Sequence, residues 1–156
     1  MKKHIIWAFV AFTVAFASCK PDPADDPTGD SNPNAELIVG LWNMDVTNST
    51  NHDILVTPDG TSEDEYSVLE SGILNQSYEF HADGSLLVRC GLGQGENYED
   101  NYTYSVKGDT LVIDGVPSEV YRIDQLDQHS LVLSGDGSIV DGNNRYSYYV
   151  HYIFER

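Results

Sequence analysis

Basic residues are scarce in this chain. Its 156 residues include 8 lysines and arginines against 25 aspartates and glutamates, which gives a formal net charge of −17 at pH 7. A surface of this sign repels nucleic-acid phosphates and offers no polybasic patch to anionic lipids. The composition therefore argues against nucleic acid as a partner, and the length indicates a single domain.

Cysteine is nearly absent, and the histidines are dispersed. The two cysteines are Cys19 and Cys90, so no intradomain disulfide forms if Cys19 is modified, and Cys90 is expected to be a buried, inert thiol. None of the five histidines pairs with another at the spacing of metal ligands, and no nucleophile elbow is present. The sequence therefore predicts no metal, no cofactor and no enzymatic activity.

Three stretches rich in glycine or acidic residues lack the spacing that a ligand loop needs. "PDGTSEDEY" at 58–66 and "GDGSIVDGN" at 135–143 do not have the ligand spacing of a calcium-binding EF-hand loop. "GLGQGENYED" at 91–100 precedes a strand pattern rather than a helix, which argues against a phosphate-binding loop. All three are predicted to be solvated loops, the last at the mouth of a barrel.

Long apolar runs are confined to the N-terminus. Two lysines precede an apolar segment from Ile5 to Phe16, and two small residues then lead to Cys19. This order is that of a secretory signal peptide, and the segment is too short to span a bilayer as a helix. The sequence predicts a signal peptide over residues 1–18.

The junction "FASC" resembles the lipobox of bacterial lipoproteins, with Phe16 at the position where leucine is usual. The resemblance implies that Cys19 is lipidated, so that acyl chains anchor the protein in a membrane. It implies an outer membrane lipoprotein that faces the periplasm or the cell surface. The acidic residues after Cys19 also resemble surface-export signals of Bacteroidetes lipoproteins. The other interpretation is an ordinary secretory signal followed by an unmodified cysteine.

The segment after the anchor reads "KPDPADDPTGDSNPN". Its proline, aspartate, glycine and serine content cannot build an apolar core. The sequence therefore predicts a disordered tether over residues 19–35 and a folded domain over 36–156.

Strand signals are dense in the predicted domain, and helical periodicity is scarce. The first strand is expected in "ELIVGLWNMDV", with a break at Gly40. The clearest hairpins are "YEFHADGSLLVRC", "YTYSVKGDTLVI" and "VYRIDQLDQHSLVL", and "RYSYYVHYIF" closes the chain. Frequent turn signals between alternating strands predict an all-β, antiparallel sandwich or barrel of about eight strands.

Two segments need separate interpretations. The acidic stretch 48–77 is longer than the other connections, and its "DILV" and "YSVL" are candidates for extra strands or edge pieces. The triplet "DTL" at 109–111 resembles the O-glycosylation acceptor of exported Bacteroidetes proteins. Thr110 is more simply interpreted as the first residue of a strand.

The order of these hairpins after Gly40-x-Trp42 resembles the lipocalin-like domains of bacterial, Bacteroidetes-type lipoproteins. The resemblance implies an up-and-down β-barrel that binds a small apolar or amphipathic ligand without catalysis. The alternative is an accessory module of a cell-surface complex, whose acidic loops contact a protein or glycan partner.

Aromatic side chains are the candidates for a ligand-binding lumen, because their rings are apolar and their hydroxyls can form hydrogen bonds. Alternation along the last strand predicts one inward face from Tyr146 to Phe154. Plain core packing is the alternative role for each of these side chains. The lumen candidates are Trp42, Tyr102, Tyr104, Tyr148 and Tyr152.

Overall fold

The computed structural model describes residues 32–115 and 118–156, so the predicted signal peptide, Cys19 and most of the predicted tether lie outside the described residues. No helix in these two ranges is long and apolar enough to cross a membrane. The elements are α1 (Pro33–Leu37), β1 (Gly40–Met44), β2 (Thr50–Thr57), β3 (Gly60–Ser67), β4 (Ile73–Phe80), β5 (Ser85–Leu92), a 3-10 turn (Gly93–Gly95), β6 (Asn97–Lys107), β7 (Thr110–Asp114), β8 (Glu119–Leu126), β9 (Ser130–Asp141) and β10 (Asn144–Glu155).

Eight of the strands close into a barrel. The order around the wall is β1, β4, β5, β6, β7, β8, β9 and β10, and β10 pairs back onto β1. All of these pairings are antiparallel. The prediction of an antiparallel barrel of about eight strands is confirmed. The hairpin of β2 and β3 continues the sheet from β10, outside the closed ring.

Closure of the barrel occupies only one end of β10. β1 pairs with β10 at Asn43 opposite Glu155 and at Met44 opposite Phe154. Farther along, β2 takes over the same edge of β10, from His151 to Arg145. Because β1 is five residues long, the barrel is closed at one end only.

Ser49 makes the change from β1 to β2 possible. Its side chain is fully buried, and the backbone N–H of Ile153 in β10 donates to its Oγ at 2.9 Å. The N–H of Asp45 donates to the carbonyl of Ile153 at 2.8 Å. Both backbone groups of Ile153 on this side are therefore satisfied at the point where neither β1 nor β2 pairs with β10.

The turn between β1 and β2 is stabilised by Asp45. Its carboxylate accepts hydrogen bonds from the backbone N–H groups of Thr47 and Asn48 and from the side-chain amide of Asn48. The bond from the Asn48 side chain is the main cause that lowers the pKa of Asp45. These local bonds end β1 at Met44, because they offer the backbone a turn in place of a longer strand.

The apolar core fills the closed end of the barrel, where the turns at 81–84, 108–109 and 127–129 lie together with α1. The indole N–H of Trp42 donates to the carbonyl of Ile38 at 2.7 Å, and the Arg156 guanidinium lies 4.0 Å from the centre of the Trp42 ring. The largest side chains with almost no exposed surface are Trp42, Phe80, Leu86, Leu111, Leu131, Leu133 and Phe154.

The start of the domain differs from the prediction. Residues 33–37 form a helix where the end of the tether and the start of a strand were expected. Asn32 accepts the Asn34 N–H as an N-cap, and Pro33 occupies the first helical turn. The side chains of Asn32 and Asn34 also donate to carbonyls at the β6–β7 turn, at 3.1 and 2.9 Å. The ordered structure therefore begins before Glu36.

The three predicted loops are also largely strand. The stretch 58–66 forms a turn and most of β3, 91–100 includes the end of β5 and the start of β6, and 135–143 belongs mainly to β9. Pairing with neighbouring strands overrides the low β-propensity of glycine and acidic residues. Of the two candidates for extra strands within 48–77, "DILV" lies in β2, whereas "YSVL" contributes only Tyr66 and Ser67 to the end of β3. Thr110 is the first residue of β7.

The opposite end of the molecule is open. β8 and β9 stop pairing after Arg122 and Ser134, and among the described strands β3 pairs with β2 alone. Four strand segments therefore project beyond the closed ring. We call them the four-stranded extension: β2, β3, and residues 135–141 of β9 with 144–151 of β10.

The Ser49 contact is tested by Ser49→Ala. The substitution leaves the buried Ile153 N–H without an acceptor, so we expect the free energy of unfolding to fall by about 1–3 kcal/mol in denaturant titration. Ser138→Ala, at an exposed strand position, is the control and should change it by less than about 0.5 kcal/mol. Equal effects from the two variants would contradict this role for Ser49.

Candidate ligand-binding cleft

The open end contains a cleft between β8 and the four-stranded extension. Its volume is about 420 Å³. A smaller cavity of about 230 Å³ lies towards β4, β5 and β6, and Glu119 lines both. The cleft is lined by Asn51, Asp53, Tyr66, Ser71, Ser118, Glu119, Val120, Tyr121, Gly135, Asp136, Tyr146, Tyr148, Val150 and Tyr152. The smaller cavity is lined by Gln76, Tyr78, Val88, Tyr102, Ile113, Gly115 and Glu119.

The pairing of β8 with β9 ends beside the cleft. A groove of about 530 Å³ lies on the outer side of this point, beside Arg122, Ser134 and Tyr149. Tyr121, Gly135 and other residues at this point line both the groove and the cleft.

The inward face of β10 provides much of the wall. Side chains alternate along the strand, so Tyr146, Tyr148, Val150 and Tyr152 line the cleft, and Phe154 continues the same face into the core. Tyr149 points to the other side and is 49% exposed. The face that alternation predicts is the one that the structure shows.

The five lumen candidates from the sequence are not brought together. Tyr148 and Tyr152 line the cleft, and Tyr102 lines the smaller cavity. Tyr104 lines neither: its hydroxyl donates to the carbonyl of His81 at 2.8 Å. Trp42 has no exposed surface at all and is a core residue.

Two glycines of β9 give the tyrosine rings room to lie against the strand. A Cβ atom on Gly137 would lie 2.4 Å from the Tyr148 ring, and one on Gly135 would lie 3.0 Å from the ring of Tyr121. A strand glycine has no side chain, and an aromatic ring can cover the exposed backbone. The stretch 135–143 thus contributes to the cleft as strand, a role that its acidic composition conceals.

Hydrogen bonds orient three of the tyrosine rings. Tyr66 donates to Asp53 at 2.8 Å and Tyr121 donates to Glu119 at 2.6 Å. Tyr152 donates to the side-chain oxygen of Asn51 at 3.1 Å. Each of these bonds fixes the position of the hydroxyl and so holds the ring in place in the wall.

Burial raises the pKa of three cleft tyrosines, Tyr121, Tyr146 and Tyr152. Desolvation raises the pKa of Tyr146 to about 12, and a hydrogen bond with Asp53 adds to the shift. Desolvation also raises the pKa of Tyr121 and Tyr152, with further contributions from Glu119 and neighbouring tyrosines. Their hydroxyls are therefore neutral hydrogen-bonding groups.

Several cleft residues were not predicted from the sequence. Asn51, Asp53 and Tyr66 come from the 48–77 stretch, and Glu119 begins β8. Alternation within "TNHDILV" would place Asn51 and Asp53 on one face, but nothing in the sequence indicates that β2 pairs with β10.

The cleft offers aromatic and polar groups. Its groups are aromatic faces, hydroxyls, side-chain amides and carboxylates. Within residues 32–115 and 118–156, no three His, Cys, Asp or Glu side chains are arranged to hold a metal ion. Cys90 is half-buried, and burial raises the pKa of its thiol.

No protein-family model matches this chain, and no curated protein matches it. It is similar to a lipocalin-like protein from Bacteroides uniformis, with 16% identity and a TM-score of 0.37 over 70% of this chain and 94% of that one. An uncharacterized protein from Bacteroides eggerthii is similar at 15% identity and a TM-score of 0.36, over 71% of this chain and 97% of that one. The strand pairing of this chain, rather than either likeness, defines its barrel.

The contact between Gly137 and Tyr148 is tested by a double-mutant cycle. In the wild-type background, Gly137→Val should destabilise the protein by about 1–3 kcal/mol, because the new side chain collides with the ring. In a Tyr148→Ala background it should be neutral or stabilising, because valine favours a strand. Thermal and denaturant unfolding measure both effects, and the same cost in both backgrounds would contradict the contact.

Proposed function

We propose that this chain is a membrane-anchored lipoprotein whose barrel binds a small amphipathic molecule without converting it. The observation that carries the proposal is the tyrosine-lined cleft of about 420 Å³. Pockets for small molecules have volumes of roughly 300–1,000 Å³ and combine apolar walls with a few placed polar groups.

The composition of the cleft favours an amphipathic ligand. Tyrosine rings and Val150 offer apolar contact area, while Asn51 and the carboxylates offer hydrogen-bond partners. A purely apolar molecule would leave these polar groups without partners, which costs free energy. We propose binding rather than catalysis because the carboxylates of Asp53 and Glu119 accept hydrogen bonds from tyrosine hydroxyls of the wall, an arrangement that suits holding a ligand.

The membrane anchor in this proposal is Cys19. Support comes from the signal-like residues 1–18 and from "FASC", which resembles a lipobox. The acidic, proline-rich tract that follows is a suitable spacer between a bilayer and a folded domain. The proposed location is the outer membrane, with the domain facing the periplasm or the cell surface.

A second candidate function is an accessory module of a cell-surface complex. It is favoured by exposed apolar side chains near the tip of the four-stranded extension. Leu55 and Ile139 flank Tyr146 on one face, and Val56 and Val140 flank Arg145 on the other. Val140 is 70% exposed and Ile139 is 61% exposed. Exposed apolar clusters of this kind often contact another molecule, which here would be a protein or glycan partner.

Ligand binding is tested with two adjacent tyrosines of β10 that face opposite sides. We expect the neutral fluorophore N-phenyl-1-naphthylamine to bind the wild-type domain saturably. Tyr148→Ala removes a cleft ring and should weaken binding about tenfold. Tyr149→Ala, on the outer side, is the matched control and should leave binding unchanged. The proposal is wrong if the wild type shows no saturable binding, or if both variants weaken it equally.

The anchor is tested by cell fractionation. Full-length protein should partition with membranes, and Cys19→Ser should move it to the soluble fraction, because the acyl chains are lost. Cys90→Ser is the control and should stay with the membranes. A soluble wild type, or a membrane-bound Cys19→Ser, would contradict the lipoprotein assignment.

A further inference from the structure

The charged groups that line the cleft are all negative. They are Asp53, Glu119 and Asp136, and the lining residues of cleft and smaller cavity within the described ranges include no Lys, Arg or His. Tyr66 donates to one oxygen of Asp53, and Tyr121 donates to one oxygen of Glu119. Both carboxylates can still accept further hydrogen bonds.

None of the five Lys and Arg side chains of the described residues lines the cleft. Lys107 ends β6 at a turn of the closed end, and Arg145 lies on the face of β10 opposite the cleft tyrosines. Arg89 bonds to Glu79 at 2.8 Å and to Glu99 at 3.0 Å. Arg122 pairs with Asp124, and Arg156 lies over Trp42 at the closed end. The negative charge of the cleft is therefore not balanced by a neighbouring cation of the described protein.

The tyrosine rings of the cleft lie close together in two pairs. The centres of the Tyr146 and Tyr148 rings are 6.3 Å apart, and those of Tyr121 and Tyr152 are 6.1 Å apart. The rings within each pair are tilted, by 36° and 47°. A ring face carries negative electrostatic potential, so several faces around one space attract a cation, as in aromatic cages for quaternary ammonium groups.

We propose that the ligand of the cleft carries an organic ammonium group, primary or quaternary, attached to an apolar body. The ammonium lies against the cleft tyrosines within reach of Asp53 and Glu119, and the apolar body extends along the inward face of β10. This inference rests on the proposed function, since it names the class of ligand for the same cleft. An anionic amphiphile such as a fatty acid would instead be repelled by the carboxylates.

The charge preference is measured with three probes that share one fluorophore. They are N-dansyl-1,5-diaminopentane, N-dansylpentylamine and N-dansyl-6-aminohexanoate, which end in an ammonium, a methyl group and a carboxylate. Fluorescence titration of the intact chain at fixed ionic strength gives each dissociation constant. We expect the ammonium probe to bind about tenfold more tightly than the neutral one, and the carboxylate probe most weakly.

Charge-neutralising variants show whether the preference for the ammonium probe comes from the cleft carboxylates or from the overall negative charge of the protein. Glu119→Gln and Asp53→Asn should each weaken the ammonium probe about threefold or more, and should leave the neutral probe nearly unchanged. Glu155→Gln is the matched control, because Glu155 is an exposed acid at the closed end and changes the net charge by the same amount. It should not alter the ammonium preference.

The outcomes distinguish this inference from the proposed function. If none of the probes binds saturably, the binding function itself is contradicted. If the neutral probe binds at least as tightly as the ammonium probe, the cleft binds ligands but the ammonium inference is wrong. If Glu155→Gln weakens the ammonium probe as much as Glu119→Gln does, the preference reflects net charge alone and the inference is also wrong.

Discussion

The whole arrangement depends on how one strand, β10, is shared by two partners. At Ile153 its backbone groups bond to Ser49 and Asp45 instead of to a continuous neighbouring strand. A longer β1 would pair along all of β10 and close the barrel at both ends. The short β1 and the turn that Asp45 stabilises leave the rest of β10 to β2. The closed core and the open cleft therefore follow from this interruption together with the end of β8–β9 pairing at Arg122 and Ser134.

The interruption also explains the unusual composition of the open half. Strands that no longer belong to a closed ring expose edges and faces, and natural sheets protect such edges with charges. β3 carries the acidic run from Glu63 to Glu65, and β9 carries Gly135 and Gly137, against which tyrosine rings lie. These features leave a space that is aromatic on its walls and acidic in its charge, which suits an amphipathic ligand with a cationic group.

The sequence predicted the parts of the fold that depend on local pattern. The hairpins around 83 and 108 and the inward face of β10 follow from alternation and turn residues, which act over short distances. It did not predict the cleft, because Asp53 and Tyr148 become neighbours only through the pairing of β2 with β10. Residue type and alternation favoured the lumen for Trp42 and Tyr104, with core packing as the alternative, but they could not give the height of a residue along the barrel, which decides whether it lines the cleft. Cys19 lies outside the described residues, so its role rests on the "FASC" resemblance.

The central claim is that the barrel is closed at one end and open between β8 and β9 at the other. Amide hydrogen exchange followed by NMR tests it most directly, since amides bonded between strands exchange slowly. We expect the backbone amide of Ile153 to exchange slowly, because it is hydrogen-bonded to Ser49. The amides bonded between β8 and β9 around the pair of Arg122 and Ser134 should also exchange slowly. From Gly135 onwards, every second amide of β9 points towards β8 but pairs with no residue of that strand. These amides should exchange rapidly. Uniform protection along both strands would show a fully closed wall and contradict the account.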